Sequence, residues 1–367
     1  MEKVRFVGLD VHKASIAIAV ADGDGSAPET VATIPNDTSA LLKQLKRLAA
    51  GGKVQCCYEA GPTGFGLQRA LQAAGVECAV IAPSMVPRTA GDRVKTDRRD
   101  AVKLARFLRS GDLTEVHVPD AATEAMRDLE RCRDDAKRAE RTARHQLSKF
   151  LLRHGRTHGG KTAWTGSHLD WIRSQVFELE AHNRVLVESV QAVESATARV
   201  ERLTKDIVEL VESWSLRPLV KALQALRGVQ VVTAVVLAAE LGDFARFASA
   251  PALMAYPGLV PSEHSSGETQ RRGRVTRTGN GHVRRILVES AWSYRHRPTM
   301  SPEIRRRNEG VAPAVQAIAW KARHRLHGRY KKLLGRGKNK QQTVTALARE
   351  LAGLVWSIAR QPQLLAS

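Results

Sequence analysis

The stretch VRFVGLDVHKASIAIAVADGDGSAPETVATIP, Val4 to Pro35, decides the fold. VRFVGLDV is a short apolar run of strand length, and SIAIAVAD follows it after only three residues. The turn DGDG, Asp22–Gly25, then leads into ETVATIP. β-branched runs separated by tight, glycine-bearing turns predict three consecutive antiparallel strands.

Outward from this meander the pattern changes to alternation. The spacing of Leu41, Leu42, Leu45 and Leu48 predicts a helix from about Thr38 to Ala50. A strand KVQCCYEA (Lys53–Ala60), a helix GFGLQRALQAAG (Gly64–Gly75) and a strand VECAVIAP (Val76–Pro83) come next. The stretch VKTDRRDAVKLARFL, Val94–Leu108, supplies a last helix ending near Arg109. The order βββαβαβα is that of an α/β RNase H-like, RuvC-like nuclease domain.

That order gives a meaning to four acids. Asp10 ends the first strand and Glu59 ends the fourth; the two strands are neighbours in such a sheet. Asp97 and Asp100 are three apart, hence on one face of their helix, and the helix is expected over the same sheet end. Clustered carboxylates repel and raise one another's pKa unless cations lie between them. Hard oxygen donors suit Mg²⁺ or Mn²⁺, and a pair of such ions stabilises the attacking and leaving oxygens of phosphoryl transfer. Lys95, Arg98 and Arg99 beside the acids would then hold phosphates. Each acid also has a plainer reading: a turn former after a strand, or, for Asp97, a helix N-cap after Thr96.

The rest of the 367-residue chain is helical in pattern. From about Thr123 to Arg153 it is highly charged, and HGRTHGGKTAWTGS (His154–Ser167) breaks it with glycines. A second long helix is expected up to about Trp214. Its apolar residues, from Ile172, Val176 and Leu179 through Val193 and Val200 to Leu210, fall at heptad-like spacing. They predict a coiled coil or a helical hairpin, with Asn183 in a seam and the protein at least a dimer. Near Gly228–Gln230 a turn between two short helices resembles a helix-hairpin-helix unit, although Gln230 stands where a second glycine is usual. The expected division is 1–120, an acid-bearing α/β domain; 121–215, long helices; and 216–367, a mainly α domain.

Composition narrows the partner. The formal net charge is +21, which favours a polyanion. No apolar run reaches roughly 18 residues, and MEKVRFVGLD lacks the apolar core of a signal peptide, so a membrane role is not expected. Cys56, Cys57, Cys78 and Cys132 form no C-x-x-C pair and read as filler in a reducing cytoplasm. Between Glu268 and Glu289 there is no acid, while Arg271, Arg272, Arg274, Arg277, Arg284 and Arg285 fall there. Gly273, Gly279 and Gly281 would let a phosphate chain approach the backbone. A second basic region runs from Arg305 to Lys332; Trp320 within it is expected in the core.

The blocks GLDVHK, YEAGPTG and KTDRRDA resemble the DEDD transposases of insertion sequences, relatives of the Piv DNA invertase. GLVPSEHSSGETQRRGRVTRTGNGHVRR (Gly258–Arg285) is similar to that family's second domain. The resemblance covers most of the chain. It implies metal-dependent RuvC-like chemistry by Asp10, Glu59, Asp97 and Asp100, joined to a separate domain whose nucleophilic serine directly precedes glycine. Ser266 is the match; Ser265–Gly267 is otherwise an ordinary turn. It further implies a structured bridge RNA that guides the protein to DNA. The expectation is a bacterial, cytoplasmic, nucleoid-associated transposase acting as a dimer or tetramer. Two other readings stay open: a RuvC-like hydrolytic junction nuclease and a non-catalytic nucleic-acid scaffold.

Overall fold

Strands β1 (Val4–Val11), β2 (Ser15–Asp22) and β3 (Glu29–Pro35) form the expected antiparallel meander. Helix α1 (Thr38–Ala49) returns the chain to β4 (Lys53–Glu59), which lies parallel to β1. Helix α2 (Gly66–Ala73) leads to β5 (Glu77–Ile81), parallel to β4, and α3 (Asp97–Ser110) follows. The sheet order is β3-β2-β1-β4-β5. The computed structural model describes residues 3–87, 96–266 and 269–361. The chain divides into two compact units, Met1–Val118 and Pro119–Ser367.

Alternation along the strands sends successive side chains to opposite faces of the first unit's sheet. Val7, Leu9, Cys56 and Tyr58 pack with Leu41, Leu45 and Leu71 of α1 and α2. On the other face Ala17, Ala19 and Ala21 meet Ala101 and Ala105 of α3, and Cys57 meets Leu104. These residues are small, so α3 lies close to the sheet. A Cβ on Gly8 would stand 2.1 Å from the carbonyl oxygen of Ala101 and 2.5 Å from the nitrogen of Ala105. Helix α3 is fixed at its ends: Thr96 Oγ1 accepts from the Arg99 amide, and Gly111 ends it in the left-handed region at φ 74°. Thr96, not Asp97, is therefore the N-cap. Asp97 and Asp100 lie in the first turn, where the helix dipole favours acids.

The second unit opens on two long helices, α4 (Ala121–Arg153) and α6 (Glu180–Val211), separated by α5 (Gly166–Arg173). Contacts that rise along α4 while falling along α6, Arg133 to Thr204 and Glu140 to Thr197, make the pair antiparallel. Leu186, Val193, Val200 and Ile207 recur every seventh residue and are buried. The seam of α6 is thus covered by α4 of the same chain, and the heptad spacing describes a hairpin. The expectation of one continuous helix up to Trp214 is corrected by the break after α5. Val176 and Leu179 in that break are 71% and 62% exposed, and Leu210 on α6 is 48% exposed. Asn183 does not set a seam register either. Its side chain accepts from the Phe177 amide at 2.8 Å and donates to the Phe177 carbonyl at 2.9 Å, tying the break to the start of α6.

The largest apolar core gathers α7 (Arg217–Leu223), α8 (Val231–Leu241), α9 (Ala250–Ala255), α10 (Gly281–Ala291), α12 (Pro313–Gly335) and α13 (Lys340–Ala359). Between α7 and α8, Gly228 adopts φ 80° with Ser290 and Ser293 against it. Arg227 donates to the carbonyls of His296 and Arg297, and Val229 accepts from Arg307, so this turn packs against its own chain. A hairpin of β6 (Pro261–Ser266) and β7 (Thr269–Val275) follows α9, and α11 (Pro302–Asn308) precedes α12. Trp320, expected in the core, is 51% exposed and lies against His324, ring centroids 4.5 Å apart.

Candidate active site and nucleic-acid interface

In the first unit, Leu9 stands opposite Tyr58 on the parallel strand pair β1–β4. Asp10 and Glu59 are the next residues along, so both acids fall at one end of the sheet. Strand alternation puts them on the Gly8 and Cys57 face, the one that α3 covers. The contact at Gly8 sets the distance between α3 and β1. Asp97 and Asp100 sit at the end of α3 over these strand ends.

Asp10 is half-buried. His12 Nε2 stands 3.1 Å from Asp10 Oδ2 and 3.5 Å from Asp97 Oδ1. One donor atom each from Asp10, His12 and Asp97 all lie within 4.8 Å of one another. Burial pushes the Asp10 carboxyl above its ordinary range; His12 opposes the shift, and Asp100 and Asp97 reinforce it. Three carboxyls thus feel one another at this point. Glu59 is exposed at the adjoining strand end.

The chemistry of the donors fits a divalent cation. Two carboxylates and a ring nitrogen converge, a third carboxylate adds negative potential, and the Asp10 carboxylate is disfavoured without positive charge beside it. His12 was not among the residues singled out in the sequence. Its signal was local: a histidine two residues beyond a strand-ending aspartate points back to the same face.

The basic residues divide by placement. Arg98 and Arg99 are exposed beside the acids in the first turn of α3; Lys95 lies outside the described residues. In the second unit Ser266 is exposed and closes β6, opposite Thr269 at the end of the hairpin. Gly267 lies outside the described residues. Arg271 and Arg274 on β7, and Arg277 just after it, are exposed, whereas the side chain of Arg272 is outside the description. Arg277 takes φ 57°, a left-handed conformation that a non-glycine residue seldom adopts. Its amide donates to the Gly258 carbonyl at 3.2 Å.

Arg284 and Arg285 are held by the protein itself. Arg284 donates to the Pro257 carbonyl at 2.7 Å, and Arg285 pairs with Asp134 at 2.7 Å and Glu289 at 3.2 Å. The glycines of this block also serve internal packing. A Cβ on Gly279 would stand 1.9 Å from the Tyr256 carbonyl oxygen, and one on Gly273 would stand 2.4 Å from Ser262 Oγ. A cavity of about 1000 Å³ has Arg274, Arg277, Lys338 and Arg349 among its lining residues. Arg329 also lines it, paired with Glu350. Among the described residues, no helix is long and apolar enough to cross a membrane.

Known proteins resemble the chain over most of its length. A family model described as "Transposase IS116/IS110/IS902 family" matches residues 220–306, and a transposase model of the IS110 DEDD type matches residues 7–155. The Sinorhizobium fredii protein y4qE, whose name carries the word transposase, is 47% identical over 97% of this chain and 88% of its own length. The transposase for insertion sequence element IS1533 of Leptospira borgpetersenii is 32% identical over 91% of this chain and 97% of its own. The transposase for insertion sequence element IS1328 of Yersinia enterocolitica is 23% identical over 81% of this chain.

Proposed function

We infer how the chain acts from one premise: it belongs to the IS116/IS110/IS902 family of transposases. Membership makes it an insertion-sequence enzyme that cuts and rejoins DNA, and a DEDD-type member is expected to use a divalent metal. The finer reading is that Asp10, Glu59, Asp97 and Asp100 hold Mg²⁺ or Mn²⁺, with His12 orienting Asp10 and Asp97. Ser266 is the nucleophile. The observation that carries the metal half is the meeting of Asp10, His12 and Asp97 at the end of β1.

When bound, the ion would stabilise charge on the oxygens of phosphoryl transfer. The protein's own residues do the rest. Arg271, Arg274 and Arg277, with Arg272 of the same block, draw the phosphate chain to the hairpin, and Arg98 and Arg99 draw it to the acids. Lys95 belongs with them by sequence. The Ser266 Oγ forms a bond to phosphorus as the bond to a deoxyribose oxygen breaks, and that oxygen leaves with the electron pair and takes up a proton to become a hydroxyl. The serine proton passes to a base. A hydroxyl of the incoming strand then displaces the serine, which recovers its proton, so the phosphodiester is restored without ATP. We assign the metal-binding acids to residues 1–120, the helical hairpin to 121–215 and the serine to 216–367. A structured guide RNA, expected from the sequence resemblance, would share the basic cavity's preference for phosphate. A dimer or tetramer would bring acids and serine together.

The test is a suicide DNA substrate resolved on a denaturing gel, followed by peptide mapping. The parental protein should leave a covalent adduct at Ser266, absent from Ser266→Ala, which should still bind DNA. Asp10→Asn should fold and bind yet form no adduct. Cleavage by Ser266→Ala at the parental rate, with no adduct in either protein, would make the enzyme a hydrolytic nuclease.

A further inference from the structure

The second unit holds a group of ionisable side chains for which strand exchange has no use. Glu130 on α4 and Glu240 on α8 are 1% and 4% exposed, and His282 lies in the first turn of α10. One donor atom from each lies within 4.8 Å of the other two. We propose that Glu130, Glu240 and His282 form a second cation site, which takes a divalent transition ion of the Zn²⁺ or Mn²⁺ class and fastens α4, α8 and α10 together.

Glu240 is fully served from outside the cluster. Arg131 donates to both its oxygens, at 2.8 and 3.1 Å, and Asn280 donates to Oε2 at 2.7 Å. These bonds hold Glu240 as a carboxylate against its burial. Glu130 has no such support. Its Oε2 is buried without a hydrogen-bond partner, and so is Nδ1 of His282. Buried polar atoms are nearly always paired, so each such atom calls for a partner. Two members of the group thus each keep a buried atom that no hydrogen bond serves.

The guanidinium groups of Arg131 and Arg285 act on Glu130 from nearby, yet neither gives its Oε2 a hydrogen bond. Ligands at about 2.0–2.2 Å from an ion stand roughly 3–4 Å apart, and the three ligand atoms of this group all lie within 4.8 Å of one another. One imidazole with two carboxylates suits Zn²⁺ or Mn²⁺ better than Mg²⁺. Arg131 and Asn280 supply the hydrogen bonds that orient a ligating carboxylate from behind. Asn280 also caps α10, its Oδ1 accepting from the Val283 amide at 3.0 Å, so the site would anchor the base of the segment that follows Arg277.

The test uses the full chain with Asp10→Asn and Asp97→Asn, which disables the acids at β1. Zn²⁺ is titrated against a chromophoric chelator, and bound metal is counted by mass spectrometry after gel filtration. One equivalent should bind and raise the melting temperature. Adding Glu130→Gln should weaken binding at least about tenfold, the least that disturbing a ligand's support costs. His282→Gln, at the half-buried rim, gives a second reading that leaves the buried carboxyls in place. It should weaken binding equally, with an unchanged circular dichroism spectrum in chelator. Failure of the Asp10→Asn, Asp97→Asn protein to bind Zn²⁺ or Mn²⁺ saturably would overturn the proposal. So would undiminished affinity in His282→Gln.

Discussion

His12 shows how much one side chain can add to a set of acids. Its Nε2 reaches toward both Asp10 and Asp97, at 3.1 and 3.5 Å, and so fixes the separation of two carboxylates from different elements. A residue that orients metal-binding carboxylates is worth about 10–100-fold in metal affinity. In His12→Ala, the Mg²⁺ concentration for half-maximal DNA cleavage should rise by about that factor, with cleavage at saturating metal much less affected. A metal titration of strand cleavage reads this directly; an unmoved midpoint would make His12 an exposed neighbour with no share in the site. The placement of Asp10 and Glu59 at one sheet end, and of Asp97 and Asp100 in one helical turn, was legible in the sequence because strand ends and helical spacing are periodic. His12 belongs to no repeat, and its one signal is its spacing two residues beyond Asp10.

Among elements, the seating of α3 on β1 positions the site, and Gly8 is where the two touch. Gly8→Ala puts a methyl group into backbone, which cannot rotate away, so the helix must move. Overpacking of this kind costs about 1–3 kcal/mol or more. The displaced helix carries Asp97 and Asp100 with it, so Gly8→Ala should lose metal-dependent cleavage more steeply than denaturant stability. Urea melts and cleavage rates on the same preparation would separate the two effects. The β6–β7 hairpin invites a different measurement. Replacing Arg271, Arg274 and Arg277 together by Ala should lower the slope of log affinity against log salt by about two to three units, close to one per phosphate contact. An unchanged slope would make the hairpin solvated surface. The order of elements in the first unit could be read from the sequence because each strand is a short apolar run between strong turn signals. In α6 the same logic failed at the ends. Heptad spacing records which face is buried, yet it does not say that the covering helix is α4 of the same chain. Nor does it show that Val176 and Leu179 lie in a break, where Asn183 bonds backbone in place of a partner helix.

On the scale of the whole molecule, the proposed mechanism divides the chemistry between two units. The acids and His12 belong to the unit Met1–Val118, and Ser266 with its arginines belongs to Pro119–Ser367. A reaction that needs both can be completed within one chain or between two. In a symmetric dimer the second arrangement is self-consistent, since each protomer would offer its acids to its partner and its serine in return. It would also keep a lone chain from cutting DNA. The two arrangements give opposite results when inactive proteins are mixed. Asp10→Asn lacks competent acids but keeps its serine; Ser266→Ala keeps its acids. If the site is shared, a freely exchanging mixture contains mixed dimers in which one of the two sites is wholly parental, so about one site in four regains activity. Strand exchange should then reappear at roughly that fraction of the parental rate, with every covalent adduct on the Asp10→Asn chain. If each chain completes its own site, the mixture stays inactive at every ratio. Labelling the two chains with tags of different mass and locating the adduct by gel would decide between them.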